Sequence, residues 1–141
     1  MAARADLAGA RPPAPAALLG GRVLSGLVVL FLLMDGGMKL VPLQPVIDTM
    51  AQLGWPTDAT TARLLAVLTL VPAALYVWPR TALLGAILLT AYLGGAVATH
   101  VRIGSPLFSH ILFGVYVGVL MWGGLWLRDP RLRALLPLRR N

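Results

Sequence analysis

Six ionisable side chains stand within or beside the apolar runs of this chain: Asp35, Lys39, Arg63, His100, Arg102 and His110. A charge at the centre of a membrane-spanning helix costs about 2.5–3.5 kcal/mol on insertion scales, so residues of this kind usually mark a site. Asp35 and Lys39 are spaced i, i+4 and can neutralise each other on one helix face. The alternative is a structural ion pair that sets helix rotation and depth. His110 lies four residues before Gly114 and eight before Gly118, so a helix carries all three on one face, directed into a bundle. His100 shares a stripe with Ala96 and Tyr92. Two histidines on neighbouring helices have the chemistry to hydrogen-bond a quinone carbonyl, to bind haem or a metal, or to shuttle a proton. They can equally be interfacial groups bonded to backbone and water. Their spacing does not match HExxH and no third ligand is evident, so no metal is expected. Arg63 and Arg102 can snorkel to headgroups, or hold an anionic head group or a semiquinone oxygen.

The elements that must position these groups follow from composition. Of 141 residues, 58% are hydrophobic and only 12% charged, with a mean hydropathy of +0.81. A soluble domain of this length cannot hide so much apolar surface, so the bilayer must act as solvent. The expected architecture is all-α: one four-transmembrane-helix bundle with short interfacial helices, over residues 21–136. Its spans are predicted at about 22–41, 59–78, 81–101 and 106–127, each long enough to cross roughly 30 Å of hydrocarbon. Residues 1–20, rich in Ala and Pro, are expected to form a disordered cytoplasmic tail, and 137–141 a second one.

Breakers delimit the spans. Pro42 and Pro45 end the first. Val46, Ile47, Met50 and Leu53 then fall at helical spacing before Gly54-Trp55-Pro56, which predicts a short interfacial helix anchored by Trp55. Thr57 or Asp58 can cap the second span, whose Pro72 should free the carbonyl of Leu68. Ser105-Pro106 reads as a cap plus first residue for the fourth span. Arg131 to Leu136 reads as a basic amphipathic stub on the membrane surface. Gly114 with Gly118, Gly94 with Ala98, and Ala91 with Gly95 are small-residue steps that predict a close contact between the third and fourth spans.

The net charge of +7 does not imply nucleic acid, because the basic residues punctuate apolar runs instead of covering a polar face. Arg4, Arg11, Arg22, Arg80, Arg128, Arg131, Arg133, Arg139 and Arg140 fall on one side of the membrane. Lys39, Arg63 and Arg102 fall on the other. The positive-inside rule therefore places both termini in the cytoplasm, with the chain crossing the cell's inner (plasma) membrane. With that topology all six ionisable groups gather in the outer leaflet or its rim, and the inner half is nearly free of them. Absence of cysteine excludes disulfides, thiolate metal sites, iron–sulfur clusters and the membrane enzymes that make disulfides for a quinone. There is no Gly-rich phosphate loop, no serine or cysteine triad, and no catalytic motif.

Phe31 to Arg133 resembles the DoxX-like family of small bacterial membrane proteins. The residues that carry the likeness are Asp35-Gly36-Gly37-Met38-Lys39-Leu40, Leu53-Gly54-Trp55-Pro56, Leu89 through His100, Pro106-Leu107-Phe108-Ser109-His110, and Leu127 through Arg133. The resemblance implies a four-helix bundle. Its name-giving relatives are linked to a thiosulfate:quinone oxidoreductase and to oxidative-stress membrane complexes. No catalytic residue carries over.

The expected function is an auxiliary membrane subunit in quinone-linked redox metabolism. Its polar pocket of Asp35, Lys39, Arg63, Tyr92, His100, Arg102 and His110 would open to the outer leaflet and take a quinone or lipid. Besides the bilayer, a membrane redox partner or a second copy of the chain would be its associates. The rivals are a binding or transport protein for a small hydrophobic or anionic molecule, and a structural assembly partner.

Overall fold

The computed structural model describes residues 12–135 of the chain. The expected tail up to Arg11, with Arg4, and the segment 137–141, with Arg139 and Arg140, lie outside the described residues. Four helices are long and apolar enough to cross a membrane, and among the described residues there is no strand. They are α1 (Pro15–Leu40), α3 (Ala59–Val77), α4 (Ala82–Arg102) and α5 (Phe113–Arg128), the last preceded by a π-helical turn at Leu107–Ile111. Two short helices, α2 (Gln44–Gln52) and α6 (Pro130–Leu135), complete the chain. The long helices form a ring in which α1 packs between α5 and α3, α3 meets α4, and α4 meets α5.

Each boundary has a local cause. Helix α1 begins at Pro15, earlier than the expected Arg22, because a proline at the first helical position has its φ preset and no amide to satisfy. Ala16, Ala17, Leu18 and Leu19 then propagate the helix. Its 26 residues extend about 39 Å at 1.5 Å per residue, longer than the hydrocarbon core. It stops at Val41, whose extended backbone (φ −103°, ψ 94°) suits a residue before proline.

Helix α2 closes with two backbone bonds characteristic of a Schellman cap. The Trp55 amide donates to the Met50 carbonyl at 2.8 Å and the Gly54 amide to Ala51 at 3.0 Å. Gly54 takes the left-handed conformation (φ 72°) that this cap requires. Helix α4 ends in the same way. Gly104 is left-handed (φ 66°), and the Ser105 amide reaches the His100 carbonyl at 3.0 Å.

Asp58, not Thr57, caps α3, accepting from the Thr61 amide at 2.9 Å and its hydroxyl at 2.7 Å. The Thr61 hydroxyl, then its amide, hold the Asp58 carboxyl below its ordinary value. The fourth span departs from expectation. Pro106 precedes the helix as its cap residue, and Ser105 bonds His100 instead of a helical amide. The first turn is therefore π-helical, where an uncapped helix start after a Gly-Ser-Pro bend settles into wider bonding.

Small residues let the helices approach, though largely not where expected. Ala62, Ala66, Ala73 and Ala86 are fully or almost fully buried, so backbones meet across them. A Cβ added at Gly85 would lie 2.3 Å from the Tyr76 nitrogen and 2.7 Å from the Pro72 carbonyl, which marks the α3–α4 contact. One at Gly21 would lie 2.8 Å from the Gly124 carbonyl and 2.9 Å from the Arg128 nitrogen, which marks the α1–α5 contact. Helices α4 and α5 do touch, but there only a Cβ added at Gly114 would meet backbone, 3.2 Å from the Leu93 carbonyl, while one added at Gly94 or Gly95 would meet nothing within 4 Å.

Nor is the half of the bundle opposite α2 free of polar groups. The Ser25 hydroxyl pairs with the Tyr76 hydroxyl at 2.9 Å, and the latter donates to the Met121 carbonyl at 2.8 Å. Ser25, Tyr76 and Met121 are buried, so these bonds satisfy polar groups withdrawn from bulk water. Facing outward, Leu27, Leu30, Val67, Val71, Ile87 and Val119 are exposed. Such a surface is stable only against lipid. The chain is a multi-pass membrane protein.

Candidate functional site

At the α2 end of the bundle the four long helices part around a cavity of about 700 Å³. Proline makes this geometry. Pro42 ends α1, and Pro45 starts α2 in a new direction, across the opening. Val46 and Met50, one turn apart on α2, are buried and pack against Ala62 of α3. Arg102 fixes the far end of α2, because its guanidinium donates to the Leu53 carbonyl just before the Gly54 turn. Most of the lining is apolar, with Phe31, Leu32, Met50, Leu65 and Phe113 among the walls. Phe31 and Phe113 meet edge to face at 5.2 Å.

Two polar stations interrupt this surface. In the first, the Lys39 ammonium donates to the Asp35 carboxylate and to the Tyr92 hydroxyl, the latter at 2.9 Å. The i, i+4 spacing places the carboxylate one turn behind the amine on α1, while Tyr92 reaches across from α4. Lys39 retains 17% and Asp35 29% of side-chain exposure, so the pair lies at the cavity wall and is not sealed in the core. In the second station, His100 and His110 stack edge to face with ring centres 5.5 Å apart at 63°. The His100 Nδ1 meets the Ser105 hydroxyl at 2.9 Å, and the His110 Nδ1 meets the Ser109 hydroxyl at 2.8 Å. Serine bonding at Nδ1 leaves the Nε2 atoms as the nitrogens able to meet a ligand. Tyr92 and His100 are eight residues apart on α4, so the stations are about 12 Å apart along the helix.

Five of the seven residues singled out in the sequence therefore border one cavity: Asp35, Lys39, Tyr92, His100 and His110. Two do not. Arg63 lies on the exposed face of α3, outside the cavity, because its position falls between the buried Ala62 and Ala66 register and the lipid-facing Leu64. Arg102 acts on α2 from outside. Sequence reasoning missed the cavity role of Trp55, read as an interfacial anchor, and of Thr49 and Met50 on α2, all of which border the cavity. The signal for α2 was present in the i, i+4 spacing of Val46 and Met50.

Among the described residues no group of three or more His, Cys, Asp or Glu could hold a metal ion. What the arrangement offers is hydrogen bonding inside an apolar enclosure. Ammonium, phenol and imidazole groups can meet acceptor oxygens, and the walls can take a ring or an alkyl chain. Among known proteins, no curated protein and no solved structure matches the chain. The family model of the DoxX-like family matches residues 23–124, which includes α1 from its third turn through most of α5 and every cavity-lining residue named above. The chain belongs to the DoxX-like family.

Proposed function

We propose that the cavity binds the head group of a membrane quinone, and that the chain serves quinone-linked redox metabolism as an auxiliary membrane subunit. The observation that carries this reading is the pairing of hydrogen-bond donors at two levels with aromatic and aliphatic walls between them. A quinone presents acceptor oxygens on a flat apolar ring, and its isoprenoid tail belongs in the bilayer. Lys39 and Tyr92 suit one oxygen, and the imidazole Nε2 atoms suit another or exchange a proton with it. A lipid head group would use the same donors. The sequence has no cysteine and no cofactor motif, so electrons would come from a membrane redox partner and the chain's part would be to hold and orient. Under the positive-inside rule the cavity would open to the outer leaflet, with both termini cytoplasmic.

Trp55 borders the cavity, and quinones quench tryptophan emission at short range. Titrating a short-chain ubiquinone analogue into the protein in mild detergent should give saturable quenching. Most of it should vanish in Trp55→Phe, and half-saturation should shift upward by about tenfold in His110→Ala, the equivalent of one lost hydrogen bond. Quenching that never saturates, or that is the same in Trp55→Phe, would remove the quinone from this cavity.

A further inference from the structure

The opposite end of the bundle holds a second, smaller pocket of about 250 Å³, lined by Arg22, Ser25, Val29, Tyr76, Val77 and Arg128 among others. The glycine contact described above creates it. Because α1 and α5 touch at Gly21 and Gly124, Arg22 follows the contact on one helix and Arg128 lies one turn beyond it on the other. Both arginines thereby border the one pocket. Among the described residues no carboxylate lines the pocket, and the only ion pair is Lys39 with Asp35. Asp129, next to Arg128 in sequence, is engaged elsewhere, accepting from the Arg131 amide at 2.9 Å.

Arg128 is held in place. One terminal nitrogen donates to the Tyr76 carbonyl at 3.1 Å, and its guanidinium lies over the Tyr76 ring at 4.8 Å. Its Nε is buried without a partner. Arg22 also lines the pocket and is exposed. Two like charges around one small cavity with apolar flanks repel each other and favour a shared anion. The planar guanidinium fork fits phosphate oxygens in particular.

We infer that the Arg22–Arg128 pocket is a phosphate-binding site, occupied by the head-group phosphate of an anionic phospholipid. Basic pockets between transmembrane helices bind such head groups, and Val29 and Val77 give the acyl region an apolar continuation. The site is separate from the quinone reading, and neither depends on the other.

Native mass spectrometry of the full chain, exchanged from mild detergent with equal phosphatidylglycerol and phosphatidylcholine, tests it. Wild type should retain phosphatidylglycerol preferentially. Arg22→Gln, an exposed position whose loss spares the fold, should retain about fivefold less, while Arg80→Gln, outside the pocket, should match wild type. Equal retention of the two lipids, or wild-type retention in Arg22→Gln, overturns the phospholipid as the site's occupant. In a second arm, inorganic phosphate is added to delipidated protein. A rise in thermal stability that Arg22→Gln abolishes supports the same site with free phosphate as its occupant. No response to either phosphate source overturns it.

Discussion

Gly85→Ala should lower the stability of the bundle by about 3 kcal/mol or more, at or beyond the top of the range for overpacked sites. The new methyl would sit 2.3 Å from the Tyr76 nitrogen, 2.6 Å from its Cα and 2.7 Å from the Pro72 carbonyl. All three are backbone atoms, so no side chain can rotate away and α3 must separate from α4. The Tyr76 hydroxyl, bonded to Ser25 and Met121, would be displaced with it. Gly36 offers the contrast, because there the clash is with the Leu70 side chain, which can move. Gly94→Ala and Gly95→Ala meet nothing within 4 Å and should be neutral, or stabilising by up to about 1 kcal/mol through helix propensity. Thermal or denaturant unfolding in one detergent, measured for all four variants, checks the order. Equal stability changes at Gly85 and Gly94 would mean that the backbone contact at Gly85 does not decide.

Asp35→Asn and Lys39→Met should each destabilise the protein, and the double variant should recover most of what either single change loses. Removing one partner of a buried pair costs about 3–5 kcal/mol because the other charge is left uncompensated. Lys39 and Asp35 keep 17% and 29% exposure, so the cost should fall below that range. Lys39 also has the Tyr92 hydroxyl as a second partner, so Asp35→Asn should be milder than a fully isolated lysine would imply. A coupling energy of about 0.5–3 kcal/mol from the double-mutant cycle is the expected reading. Quinone affinity should separate the variants differently. Lys39→Met removes a donor to the ligand and should stay weak in the double variant, whatever its stability. Simple additivity in stability would show that the two residues act independently.

The fold was legible in the sequence because membrane physics is written in length and hydropathy. Apolar runs near 20 residues, bounded by Pro42, Pro79 and Pro130, leave little choice of architecture. The Asp35–Lys39 pair was legible because i, i+4 is a local relation. The meeting of His100 and His110 followed from topology, which brings the end of one span beside the start of the next. What was hidden depends on rotation about the helix axes. Gly94 and Gly85 are indistinguishable as letters, yet one faces open space and the other a backbone. The same ambiguity concealed the Ser25–Tyr76–Met121 chain, whose members stand on three separate helices. Arg63 illustrates the converse, since membrane depth alone placed it with the site and helix rotation placed it outside. The first turn of the fourth span misled for a local reason: Ser105 has two available partners, a helical amide and His100, and the left-handed Gly104 delivers it to the histidine.

Photolabelling the purified protein with an azido-ubiquinone and mapping adducts by mass spectrometry addresses the cavity's occupant without relying on any substitution. Labelling should concentrate within residues 31–39, 45–55, 65–68, 91–100 and 110–114, the segments that carry the cavity's lining, and an excess of unlabelled quinone should abolish it. Adducts spread along the lipid-facing surface, on residues such as Leu30 and Val119 that are each 66% exposed, with no protection by competitor, would contradict quinone binding at this site.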